Sequence, residues 1–153
     1  MTVRHWIIVL ALCVPQWAAL AADDPFSGDW KLDQPKAKTP VKGPQTQFLH
    51  IEADEAHLNI LHKGIDAAGA PAQWWIKADF NGALAGVFHS PDMDAVTCLR
   101  SDPHTILLKL SRDAVTIGWR TIEVSKNGRT LKVTTALESG GKQSKTVETF
   151  GKQ

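Results

Sequence analysis

The chain has 153 residues, 43% of them hydrophobic and 22% charged, which is the make-up of one ordinary globular domain and excludes a disordered tail or a membrane bundle. Basic and acidic residues nearly balance, at 17 against 16, so no global field steers the protein toward nucleic acid or anionic lipid. Only two cysteines are present, Cys13 and Cys98, too few for a disulfide scaffold.

Residues 1–22 stand apart from the rest. Arg4 precedes an apolar run from Trp6 to Val14, and Ala19-Leu20-Ala21-Ala22 offers small residues ahead of Asp23-Asp24-Pro25. That run is shorter than the ~20 residues needed to span a bilayer, so a cleaved secretory signal is expected over 1–22 and a single domain over 23–153. Cys13 follows the bulky Leu12, which disfavours a lipid anchor. The mature chain is therefore expected in the periplasm or outside the cell, not inserted in a membrane. Cleavage removes Arg4 and no acid, balancing the charges, and leaves Cys98 as the lone cysteine. A domain of ~131 residues then holds itself together by core burial alone.

Pro25 to Leu32 predicts a turn running into a short first strand that contains Gly28 and Trp30. Asp33 to Gln45 carries Pro35, Pro40 and Pro44 among lysines without apolar periodicity, and reads as an exposed crossing. Gln47 to Glu52 and His57 to His62 are extended runs about Asp54-Glu55. If Ala53 faces Ala56, then Leu49, Ile51, Leu58 and Ile60 share the core face while His50 and His57 share the other. After the glycine-bearing Gly64 to Pro71, Trp74, Ile76, Ala78 and Phe80 alternate with Gln73, Trp75, Lys77 and Asp79. Asn81-Gly82 predicts a type I′ turn that pairs Phe80 with Ala83 and Ile76 with Val87, and sets His89 near Trp74 on the inner face.

Ala95 to Arg100 and Thr105 to Ser111 are two further strands divided by Asp102-Pro103. Arg112-Asp113 turns into a hairpin from Val115 to Leu137 about Asn127-Gly128, again a type I′ signal. Ser139-Gly140-Gly141 turns into a last strand, Lys145 to Lys152, with Val147 expected to be buried and Phe150 as a second candidate for burial. About ten short strands with almost no long links predict an all-β fold, a single up-and-down antiparallel barrel of eight to ten strands. Such barrels hold either their own side chains or one small ligand.

Gly28-Asp29-Trp30-Lys31-Leu32-Asp33, Asp79-Phe80-Asn81-Gly82 and Val124-Ser125-Lys126-Asn127-Gly128-Arg129-Thr130-Leu131 together resemble small secreted bacterial proteins of lipocalin-like type, mostly of unassigned activity. The resemblance spans essentially the whole mature chain. More distantly, the order of elements is similar to lipocalins and fatty-acid-binding proteins, which implies a hydrophobic ligand and a structural role for Gly28 and Trp30. The Arg-x-Tyr pair that fatty-acid-binding proteins place in the last strand is absent, and Glu148 and Phe150 stand there instead.

The ligand-site candidates are Trp74, Ile76, His89, Trp119 and Arg120. Counting back from Asn127-Gly128 turns Val124, Ile122 and Arg120 inward; counting forward from Arg112-Asp113 turns Val115, Ile117 and Trp119 inward. A β-bulge between Gly118 and Thr121 reconciles the two counts and brings Trp119, not Arg120, into the core. An inward arginine calls for an anionic ligand or an acidic partner, whereas Arg100, Arg120 or Lys152 packed on Trp30 is purely structural. The histidines, His62 among them, read as surface residues, and no metal site, cofactor motif or catalytic constellation is expected. The expectation is a non-catalytic exported binding protein with a small apolar ligand in the barrel. A filled-core module of the cell envelope, acting through Trp75, Phe88 or the 33–45 segment, is the alternative, and its protein partner is unknown.

Overall fold

The computed structural model describes residues 24–33, 46–65 and 69–153. The expected signal, the Cys13 anchor question and nearly all of the proline-rich crossing fall outside these residues. Ten strands occupy most of what is described: β1 (Gly28–Leu32), β2 (Thr46–Ala53), β3 (His57–Ile65), β4 (Pro71–Asp79), β5 (Leu84–Phe88), β6 (Ala95–Asp102), β7 (Thr105–Arg112), β8 (Val115–Val124), β9 (Thr130–Ser139) and β10 (Lys142–Lys152). Each pairs antiparallel with the next, and β1 closes on β10 through Trp30 opposite Lys152 and Leu32 opposite Phe150. The described residues are therefore all-β, a single closed up-and-down barrel of ten strands.

The period-two alternation seen in the sequence becomes inside and outside. Leu49 and Ile51, Leu58 and Ile60, Ile76 and Ala78, Ile106, Leu108 and Leu110, Ile122 and Val124, Leu131 and Val133 all point into one buried core. The pairing Ile76 with Val87 is as expected, whereas β2 and β3 pair Ala53 with Leu58. That shift is by two residues, so every side chain keeps its face. Cys98 is buried in the core, and burial pushes its thiol up to about 12, which leaves it inert. Of the two apolar candidates in β10, Phe150 is buried while Val147 is exposed.

The turns differ from their sequence signals. Neither Asn127 nor Asn81 has a positive φ; only Gly128 and Gly82 do. At the first, Gly128 N donates to Ser125 O at 2.8 Å while Asn127 Oδ1 accepts from the Ser125 hydroxyl and Arg129 N, a wider loop than a two-residue one. Two consecutive positive φ angles occur instead at Asp113-Ala114 and Gly140-Gly141, each between directly paired residues. Phe80 does not pair with Ala83, and β4 meets β5 at two positions only, Trp75 with Phe88 and Ile76 with Val87, against nine positions between β3 and β4. The β4–β5 seam is thus the thinnest in the wall.

The turns after β2, β4, β6 and β8 gather at one end, together with the start of β1. Phe26 plugs that end. Its carbonyl accepts from Trp30 Nε1 at 2.9 Å, and its own amide donates to Asp24 Oδ1. Arg100 lies over the rings of Phe80 and Phe26, its guanidinium paired with Asp24 at 2.6 Å and donating to Asp54 O. Lys152 is the cation stacked on Trp30, 5.2 Å from the ring centroid. Gly28 has φ +136, and a Cβ there would come within 2.8 Å of Lys152, so the glycine and tryptophan of the G-x-W stretch do shape this closed end.

Candidate functional site

The opposite end holds the barrel's polar interior. Strand parity supplies it: on β2 Gln47 continues the inward row of Leu49 and Ile51, and on β3 His62 continues that of Leu58 and Ile60. Trp74 precedes Ile76 and Ala78 in the inward row of β4, and Glu148 precedes Phe150 in that of β10. Arg120 on β8 sits opposite Thr135 on β9. Gln47, His62, Trp74, Arg120, Glu148 and the loop residue Asp92 line a cavity of about 260 Å³, whose apolar wall includes Leu49, Ile122, Val133 and Phe150.

A chain of contacts fixes the polar wall. Gln47 Nε2 donates to Glu148 Oε1 at 2.9 Å, and because a carboxylate only accepts, this sets which way the amide faces. Gln47 Oε1 is then the acceptor for His62, 3.1 Å from Nε2. His62 therefore carries its proton on Nε2, leaving Nδ1 a bare acceptor, buried and without a partner. Burial and then the neighbouring Arg120 charge push the imidazole down to about 4, so it is neutral at physiological pH. Its ring stacks on Trp74 at 4.7 Å and 8°. From across the barrel the Arg120 guanidinium lies 5.5 Å from the Trp74 centroid, and its Nε donates to Thr135 Oγ1 at 3.0 Å. Burial pulls the Arg120 pKa below its usual value, partly offset by Glu148 and Asp92. No carboxylate lies within ion-pair distance of Arg120 among the described residues.

Of the five ligand-site candidates, Trp74 and Arg120 meet at the cavity. Ile76 is fully buried one row deeper, as core. His89 and Trp119 are corrections. The irregularity in β8 lies at Ile117, since Leu110 pairs with Gly118 and Ser111 with Thr116, which is earlier than the expected place. The extra residue is absorbed before Trp119, so the count from Asn127-Gly128 holds through Arg120 and leaves Trp119 57% exposed on the outer face; Val115 is exposed as well. Gly118 is buried where β8 presses on β9, and a Cβ would fall 2.1 Å from Ala136 O, which places the irregularity beside the one residue able to make that approach. His89 has φ +60, which swings it out of its strand parity and tilts its ring against Trp75, already stacked on Phe88 at 5.4 Å.

His62 and Glu148 complete the site and were not expected in it. Both were legible as parity: His62 is two residues beyond Ile60, and Glu148 two before Phe150. His50 and His57 are on the outer face as expected, but each has acidic neighbours of its own, Asp29 and Glu52 for the first, Asp54 and Asp79 for the second. Among the described residues no group of three or more His, Cys, Asp or Glu side chains could hold a metal ion.

Compared with known proteins, the chain matches no family model, no curated protein and no solved structure.

Proposed function

We propose that this protein is a non-catalytic binding protein that holds one small molecule in the cavity at the polar end of its barrel. The observation that carries this reading is Arg120, an inward guanidinium with, among the described residues, a single hydrogen bond and no ion pair, facing the cavity. Leaving a charge so placed is costly in a filled core, and a ligand group or enclosed water offsets that cost. A volume of about 260 Å³ lies under the ~300 Å³ lower bound of drug-sized pockets, so the occupant is smaller than a long acyl chain. The wall is mostly apolar, with Gln47, His62, Asp92, Arg120 and Glu148 as its polar members, which replaces a purely hydrophobic ligand with an amphipathic one.

Native mass spectrometry of the purified protein, followed by extraction, tests the reading. A small molecule is expected to be retained, and to be lost when Val133→Trp fills the cavity. A folded protein that retains nothing and binds nothing from a small-molecule library would count against it. The reading of residues 1–22 as an export signal puts this binding outside the cytoplasm, with a secreted form beginning at Asp23 by N-terminal sequencing. Membership of a lipocalin-like group of secreted proteins is part of the same proposal and rests on the three stretches quoted above.

A second reading, a protein-interaction module, is favoured by the Trp75, Phe88 and His89 ring cluster on the outer face. A crosslinked envelope partner lost on Trp75→Ala would support it.

A further inference from the structure

Two opposite charges line the same cavity without touching. Arg120 and Glu148 stand on strands separated only by β9, both side chains are long enough to seek each other, and no ion pair joins them. Each is held where it is by a second contact. Thr135 and the Trp74 ring hold the guanidinium, while Gln47 holds the carboxylate and is itself braced by His62. The gap between them is therefore maintained by the fold, at a cost that an ion pair would have relieved.

The wall discriminates among occupants. An apolar molecule would strip water from both charges and return nothing. A simple anion would meet Arg120 but also face Glu148 and, at the rim, Asp92; a simple cation would meet those carboxylates beside the Arg120 charge. The bare Nδ1 of buried His62 on the same wall adds an acceptor and no charge. Only a molecule with both signs matches the surface on both sides.

We infer that the cavity is built for a small zwitterion, whose anionic group meets Arg120 and whose ammonium group meets Glu148, with its apolar part against Leu49, Ile122 and Val133. This rests on the interior-binding reading above and names the ligand class for it. Free amino acids with small aliphatic side chains have the required charges and size.

The test titrates the purified full-length protein by calorimetry with L-alanine, L-valine and L-leucine, and with three analogues of leucine that each lack a charge: isocaproate, isoamylamine and isoamyl alcohol. Saturable binding of at least one amino acid is expected, with each leucine analogue weaker than leucine by about tenfold or more, the usual worth of one charge-assisted hydrogen bond. Arg120→Met should lower leucine affinity to that of isoamylamine, and Glu148→Gln to that of isocaproate. Both variants are close in shape to the native residues, and thermal melting confirms that they fold. If any one of the three analogues binds as tightly as leucine and Val133→Trp blocks it, the zwitterion is overturned and interior binding stands. If no amino acid binds while another molecule is retained from cells, the outcome is the same. If nothing binds and nothing is retained, both readings fall.

Discussion

The barrel has two inward arginines at opposite ends, and they are solvated by the protein in opposite ways. Arg100 has an acid at 2.6 Å, a backbone carbonyl and two aromatic faces, with only its Nε left without a partner. Arg120 has one hydroxyl, one indole face and a cavity. The first is a cross-link between the start of the chain and the turn end of the barrel, and its charge is consumed within the fold. The second is a charge left available. The two ends of one molecule thus show an inward cation with and without an acid at ion-pair distance among the described residues.

The comparison breaks most sharply at Asp24. Asp24→Ala leaves Arg100 buried without its acid, and should cost about 3 kcal/mol or more in chemical denaturation, with the open end unchanged. A loss as small as that of a surface substitution would mean that the closed end is not held by this pair.

Next in size is the pH response of the open end. The His62 value is 6.5 in the unfolded chain and about 4 in the folded one. Between those values the unfolded chain takes up a proton that the folded protein excludes, so the stability His62 contributes is fully present above 6.5 and is lost as pH falls toward 4. The total is about 3 kcal/mol. His50 and His57 act with the opposite sign, their values raised by Asp29 and Asp54, but both are exposed and their effect is minor. Urea unfolding at about pH 7 and about pH 5 should show the drop, and His62→Phe should flatten it.

Arg120→Met should do the reverse of Asp24→Ala. Replacing an uncompensated charge by an apolar side chain of similar length leaves stability unchanged or raises it by about 1 kcal/mol, while weakening ligand binding by about tenfold or more. A large loss of stability would place Arg120 with Arg100, as structure. Smallest of all, Trp119→Ser on the outer face should change stability by no more than about 0.5 kcal/mol and leave binding as it is.

The ten strands and the closed barrel were legible because alternation is a local signal repeated along the chain, and a shift of two residues, as between β2 and β3, does not erase it. The site was half legible. Trp74 followed directly from parity, and Arg120 was one of two consistent counts; the choice between them depended on where one extra residue in β8 is absorbed. Sequence marks that a bulge is needed, through the conflict of two hairpins, but the placement at Ile117 is set by Gly118 pressing against Ala136 across the sheet. His89 left its face through a backbone angle that no side-chain pattern announces. His62 was missed for a different reason: residue type was weighed above position, although its row was already assigned to the core.

The thin seam between β4 and β5 has a consequence for the wall beside the cavity. Trp74 lies on β4 next to the two residue pairs that hold this seam, so the wall nearest the cavity's aromatic face is also the wall with the fewest rungs. Fewer ladder pairings must part for local opening at this seam than at any other in the wall. The β4–β5 seam, held at Trp75 and Ile76, is thus the stretch of wall that depends most on each single pairing.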